Sequence, residues 1–131
     1  MGFKLSTASS YPWPVVGELA GHRYSFTGHF AFLPQDRIDE LLVGSARREA
    51  LLRRGEDDPE LQGMNNRAIA AEILVGWDGV TDDDDEPIAF SPHELEKFLK
   101  IQGVAGAVAK AWGESLEGGR RGNSKAPRGI G

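Results

Sequence analysis

The chain contains no cysteine and no long apolar run, and each absence removes a class of function. Without cysteine it has neither a disulfide framework nor a thiolate nucleophile. No apolar stretch approaches the ~20 residues that span a bilayer, and the first ten residues lack the apolar segment of a signal peptide. We therefore expect a protein of the cell interior with no membrane partner. Its 131 residues fit one domain of ordinary composition.

The net charge of -5 conceals an uneven distribution of charge. Residues 118–131 hold four basic side chains and no acid, which leaves 11 basic against 20 acidic residues in the remainder, a net of -9. A body of that charge repels phosphate backbones, so we expect no nucleic-acid partner.

The strongest secondary-structure signal is an alternation of aromatic residues near the N-terminus. Tyr24, Phe26, Phe30 and Phe32 share one parity, which predicts the inner face of a strand. The shorter apolar piece before it and a turn at Ala20-Gly21 predict an antiparallel β-hairpin over about 15–32. Prolines at 12 and 14 place the preceding segment on a sheet edge or outside the sheet.

After the hairpin, apolar residues recur at helical spacing, which predicts a bundle of about four α-helices. The third helix has a clear start, because Ser91 can cap it, Pro92 suits its first turn and Glu94 completes a capping box. Residues 118–131 are rich in glycine and basic side chains, which predicts a disordered basic tail. The fold class is therefore α+β, with one domain over 1–117. The predicted helices are 35–54, 66–76, 92–101 and 104–117.

The acidic run Asp82–Glu86 admits three interpretations. A calcium loop needs glycine at its sixth place and glutamate at its twelfth, whereas these places hold Pro87 and His93. An acidic DNA-mimic inhibitor needs negative charge over a wide face, and here it is confined to one loop. A solvated loop between helices is the interpretation that we favour.

No residue pattern predicts catalysis, a metal or a cofactor. His22 and His29 differ by an odd number and point to opposite faces of one strand, and His93 falls in the first turn of a helix. The chain has no metal-ligand spacing, nucleophile elbow, phosphate loop or dinucleotide fingerprint. We therefore expect no enzyme, no metal site and no cofactor.

Three segments, read in order, resemble the tail assembly chaperones of long-tailed bacteriophages and prophages. The first is Phe30 to Leu42, in which a strand runs into a Leu-Pro-Gln helix start. The second is Glu72 to Asp82, followed by acids, Pro87 and Phe90-Ser91. The third is Ile101 to Val108, leading to Glu114-Ser115-Leu116. Together they cover roughly residues 22–117.

The resemblance implies a function without catalysis. Such a protein would bind the tape-measure protein in the cytoplasm of the bacterial host, keep it soluble and help to recruit tail-tube subunits, in some relatives through a longer frameshifted form. It would be absent from the mature virion. The competing class is a structural tail subunit, a tube or connector protein that stays in the virion.

A holdase needs exposed apolar surface, and two predicted surfaces could supply it. One is the aromatic face of the hairpin, and the other is the last helix, whose alanines allow close packing. Trp77 and Trp112 lie on helical stripes and fit a core position, although either could anchor a partner. The candidate partner-binding residues are Tyr24, Phe26, Phe30, Phe32, Trp112 and Leu116. Self-association, within a dimer or a ring, is a further possibility that the sequence leaves open.

Overall fold

The computed structural model describes the backbone of residues 9–125 and the side chains of residues 9–118. Strands β1 (Ser10–Leu19) and β2 (His22–Ala31) form the predicted antiparallel hairpin. Its two-residue turn has positive φ at both Ala20 and Gly21, as a twisted hairpin requires. β1 begins earlier than predicted, at Ser10, and lies at the edge of the sheet, where Pro12 and Pro14 are tolerated because an edge strand has an unpaired side.

In the part of the chain that the structure describes, four α-helices follow the hairpin, and the predicted α+β class is confirmed. They are α1 (Gln35–Arg53), α2 (Asn66–Ile73), α3 (Pro92–Leu99) and α4 (Val104–Lys125), with a 3₁₀ helix at Pro59–Met64 between the first two. α3 starts as predicted, since the Ser91 hydroxyl accepts a hydrogen bond of 3.1 Å from the backbone amide of Glu94. α4 is longer than predicted: its backbone is helical up to Lys125, eight residues beyond the expected end. The rest of the predicted tail, 126–131, lies outside the described residues.

A third strand was missed by the sequence analysis. The predicted helix 66–76 ends at Ile73, and Leu74–Asp78 form strand β3, which pairs antiparallel with β2 and makes a three-stranded sheet. The helical spacing of Ile69, Ile73 and Trp77 continues into this strand by coincidence. Pairing with β2 decides the conformation, because strand formation depends on the neighbouring strand more than on local propensity.

The core lies between one face of this sheet and the helices. Phe26 and Phe30 point into it from β2, which confirms the predicted inner parity, while Phe32 follows the strand and is 46% exposed. Trp77 and Trp112 are both buried, in agreement with a core position. The buried apolar residues are Val15, Phe26, Phe30, Leu41, Ile69, Ala70, Ile73, Leu74, Trp77, Leu95, Leu99, Val104, Val108, Ala111 and Trp112.

Candidate functional site

An apolar groove lies between the open end of the hairpin, where β1 begins and β2 ends, and the middle of α4. It has a volume of about 470 Å³ and continues to the start of α1. None of its lining side chains is charged, although 27% of the chain is. We call it the hairpin groove, and it is lined by Tyr11, Pro12, Trp13, Ala31, Phe32, Leu33, Ile38, Trp112, Ser115 and Leu116.

The β1 side of the groove is built from alternate residues of an edge strand. Tyr11, Trp13 and Val15 share one face of β1, and this strand packs on α4. Val15 is wholly buried, whereas Tyr11 and Trp13 are half-buried and line the groove. The Trp13 ring lies so close to Gly118 that a Cβ added there would stand 2.8 Å from it. The bare backbone of Gly118 is therefore what lets the indole reach α4.

A chain of two hydrogen bonds ties β1 to α4 in the wall of the groove. The Ser115 hydroxyl donates to the carbonyl of Trp112 at 2.6 Å. That hydroxyl has one hydrogen, so at the 2.7 Å contact with Tyr11 it accepts and the phenol donates. Burial raises the pKa of the Tyr11 phenol. The phenol is therefore held in its neutral, donating form.

The Tyr11 ring also contacts the rings of Phe30, near the end of β2, and Phe32, just after it. The centroid of its ring lies 4.9 Å from that of Phe32 and 6.0 Å from that of Phe30. Such tilted ring pairs add attraction beyond the burial of apolar area. Phe30 is fully buried, so the contacts run from the core through Tyr11 to the partly exposed Phe32 at the surface.

The structure brings together three of the six candidate partner-binding residues. Phe32, Trp112 and Leu116 all line the hairpin groove. Trp112 is only 3% exposed, so it forms the floor of the groove and belongs chiefly to the core.

The other three candidates lie elsewhere. Phe30 is enclosed in the core, and Phe26 packs edge-on against Phe98 with centroids 5.3 Å apart. Tyr24 lies across Gly17 of the neighbouring strand, where an added Cβ would clash with its hydroxyl oxygen. Burial raises the pKa of the Tyr24 phenol, whose oxygen has no hydrogen-bond partner among the described residues.

Tyr11 and Trp13 were not among the candidate residues predicted from the sequence. A signal was present, because both share the parity of Val15 in a run of alternating residues. Pro12 and Pro14, which alternate with these residues, argued against a strand here, although an edge strand accepts proline on its unpaired side.

A bidentate ion pair fastens α1, which carries Ile38 of the groove, to α2. The Arg37 guanidinium donates to both oxygens of Glu72, at 2.9 and 2.8 Å. These hydrogen bonds lower the pKa of the Glu72 carboxyl and raise that of the guanidinium. α1 is otherwise buried mainly at Leu41 and Gly44, so this pair helps to set its position.

The acidic run forms a narrow turn. A bridge between Thr81 and Pro87 closes it, and one oxygen of Asp82 accepts from the backbone amides of Asp84 and Glu86 at 2.8 and 3.0 Å. Among the described residues no group of three or more histidines and carboxylates could hold a metal ion. Within the same part of the chain, no helix has the length and hydropathy of a membrane span.

Comparison with known proteins gives one match. The sequence model of a family described as YdaY prophage protein matches residues 38–111, from the first turn of α1 into α4. No curated protein and no solved structure matches the chain. The prophage origin that the resemblance implied is therefore confirmed, while the description of the family names no role in tail assembly. Because the match covers more than half of the 131 residues, the chain belongs to the YdaY prophage protein family.

Proposed function

We propose that this prophage protein is a tail assembly chaperone that binds the tape-measure protein through the hairpin groove. The observation that carries the proposal is the groove itself, an uncharged concave surface with an aromatic rim on a chain of which 27% is charged. A long, aggregation-prone partner exposes apolar side chains, and an apolar groove can cover them. The acidic body keeps such a complex soluble.

The edge strand beside the groove favours an apolar helix or loop of the partner over an added strand. β1 lies at the sheet edge beside the groove, but Pro12 and Pro14 lack the amide hydrogens that strand addition uses. Side-chain burial therefore provides the attraction. With a CH₂ group worth about 0.8 kcal/mol on burial, a few inserted side chains are enough for a reversible complex.

The remaining parts of the proposal follow from the same role. The complex forms in the cytoplasm of the bacterial host, helps to recruit tail-tube subunits, through a frameshifted longer form where one is made, and leaves before the virion is complete. The chain needs no catalytic group or cofactor for this role. Support comes from the prophage family and from the resemblance of residues 22–117 to tail assembly chaperones.

The first experiment is co-expression with the tape-measure protein encoded beside this chain. We expect the soluble yield of the partner to rise and the two proteins to co-purify. Phe32→Ser removes an apolar rim residue that is already 46% exposed, so folding is largely preserved while binding falls. Val43→Ser is the matched control, because Val43 is 67% exposed on α1 and lies outside the groove.

The possible outcomes separate the site from the function. Equal binding by both variants would move the binding surface away from the groove and leave the chaperone role intact. No gain in solubility with the unaltered chain would contradict the chaperone role. Mass spectrometry of purified phage particles then distinguishes a chaperone from a structural tail subunit, since the subunit is present in every virion and the chaperone is not.

A further inference from the structure

A second concave site lies on the helical half of the molecule, away from the hairpin groove. It has a volume of about 570 Å³ and is formed where α2 and α4 begin, beside the end of α3 and one side chain of α1. Arg48, Arg67 and Lys100 line it, together with the amides of Asn66 and Gln102. No carboxylate lines it. We call it the basic pocket.

The local sequence explains why this pocket is basic on an acidic protein. The segments that form most of it lie within two stretches, 61–71 and 97–113, that contain no aspartate or glutamate. Both α2 and α4 also begin here, and a Cβ added at Gly106 would lie 3.6 Å from the side-chain nitrogen of Asn66. The positive ends of two helix dipoles therefore add to the three cationic side chains.

Two of these cations lack a partner in the described part of the chain. The Nε of Arg48 is buried and has no hydrogen-bond acceptor, and Arg67 takes part in no ion pair. Lys100 reaches Glu96 at 3.8 Å. The pocket is lined by three cationic side chains and by amide donors, so it is suited to receive a carboxylate.

The acidic turn has the complementary property. Asp82 to Glu86 are exposed, and among the described residues none of their carboxylates forms an ion pair. Asp82 is engaged by its own backbone, while Asp83 and Asp84 stand in the middle of a projection closed at Thr81 and Pro87. A narrow projection that carries carboxylates fits a pocket that carries guanidinium and amide donors.

We propose that the acidic turn of one copy binds in the basic pocket of a second copy, so that the chain self-associates. Within one molecule no ion pair joins the turn to the pocket among the described residues, which leaves both surfaces open to another copy. Nucleic acid is disfavoured as the occupant because the chain carries a net charge of -5. At physiological salt the Debye length is about 8 Å, so this overall repulsion is screened while charges in contact still attract.

Sedimentation velocity and light scattering on the purified full chain test the contact without any partner protein. At about 50 mM salt we expect the average molecular mass to rise with protein concentration. Raising the salt to about 0.5 M should lower the average mass, because exposed charge pairs are then screened. Arg67→Glu with Lys100→Glu inverts the pocket. Asp83→Lys with Asp84→Lys inverts the turn and spares Asp82, whose oxygen organises it.

Each double variant alone should associate at least about tenfold more weakly, because like charges then face each other. An equimolar mixture should recover association, since the unaltered turn of the pocket variant fits the unaltered pocket of the turn variant. Arg23→Glu with Lys110→Glu is the matched control. It makes the same change in net charge at exposed residues outside the pocket and should associate like the unaltered chain.

Three results would overturn the proposal. The first is a chain that stays monomeric at every concentration and salt. The second is association that both inverted variants retain, since the contact would then lie elsewhere. The third is a mixture that associates no better than its two components, because a direct turn-to-pocket contact requires recovery.

Discussion

The hydrogen bonds between Tyr11, Ser115 and Trp112 give a prediction about what holds the hairpin groove together. Tyr11 and Ser115 are 104 positions apart, so their hydroxyl contact joins the two ends of the domain. Tyr11→Phe keeps the ring and its contacts with Phe30 and Phe32 and removes one hydrogen bond. We expect a loss of about 1 kcal/mol in the free energy of unfolding, the usual net contribution of such a bond.

Ser115→Ala perturbs the same pair from the other side. The half-buried phenol of Tyr11 then loses its acceptor, and the Trp112 carbonyl loses a donor. We expect a cost of about 1–2 kcal/mol, because a polar group kept partly from water without a partner is penalised. The double variant should cost less than the sum of the two, by a coupling of about 0.5–1.5 kcal/mol.

Urea unfolding followed by tryptophan fluorescence measures all three variants. For a domain of this size, with a slope of about 1–3 kcal/mol per molar urea, the midpoint of Tyr11→Phe should fall by roughly 0.3–1 M. Tyr11→Phe with Val43→Ser, which lies on α1, serves as an additive control. If the costs of Tyr11→Phe and Ser115→Ala simply add, the two hydroxyls are not coupled and the reasoning is refuted.

The same phenol predicts a dependence on alkaline pH. Its pKa is raised in the folded state above the ordinary value of 10.0, so the unfolded chain loses this proton first. The stabilisation is complete below about pH 10 and declines as the pH rises toward the folded pKa. Tyr24 contributes in the same direction. The unfolding free energy should therefore fall less steeply above pH 10 in Tyr11→Phe, whereas an unchanged slope would argue against burial as the cause.

Four further substitutions test the core and the groove rim, the α1 attachment and a helix start. Trp112→Ala should cost about 3–5 kcal/mol in urea unfolding, whereas Phe32→Ala, partly exposed, should cost about 1 or less; similar costs would contradict the assignment of floor and rim. The pKa of the Glu72 carboxyl is lowered in the folded state, so this group stabilises the fold at pH values above its ordinary pKa, and the stabilisation is lost as the pH falls through the folded pKa. In Glu72→Gln the melting temperature should therefore fall less steeply at acid pH. Ser91→Ala should cost about 1 kcal/mol through the lost cap, and a melting temperature unchanged by it would mean that the cap is not formed in solution.

The parts of the fold that could be predicted are those whose sequence signal lies within a few neighbouring residues. The alternation that buries Phe26 and Phe30 and the Ser91-Pro92 start are each complete within a few residues, and both are confirmed, whereas Phe32 lies beyond the strand and is exposed. β3 was missed because its conformation depends on Thr27 and Gly28 of another strand, to which Asp78 and Trp77 pair. No residue pattern within Leu74–Asp78 indicates that pairing.

The groove shows the same limit more clearly. Phe32, Trp112 and Leu116 were proposed from patterns in two separate segments, and nothing in either segment showed that they share one surface. Trp13, which lines the same groove, packs against Gly118, and a glycine in a sequence does not reveal which side chain will cover it. Hydrophobic periodicity predicts which face of an element is buried, but not which distant element buries it.

The two proposed surfaces differ in how much of each lies within the family match. Residues 38–111 include the whole basic pocket and the acidic turn, whereas the groove, apart from Ile38, is built from residues on either side of that range. The two surfaces can therefore be tested independently. If both proposals hold, the groove variant Phe32→Ser should lose the tape-measure protein yet still self-associate, and the turn variant should do the reverse. A variant on either surface that lost both properties would show instead that partner binding depends on assembly of the chain.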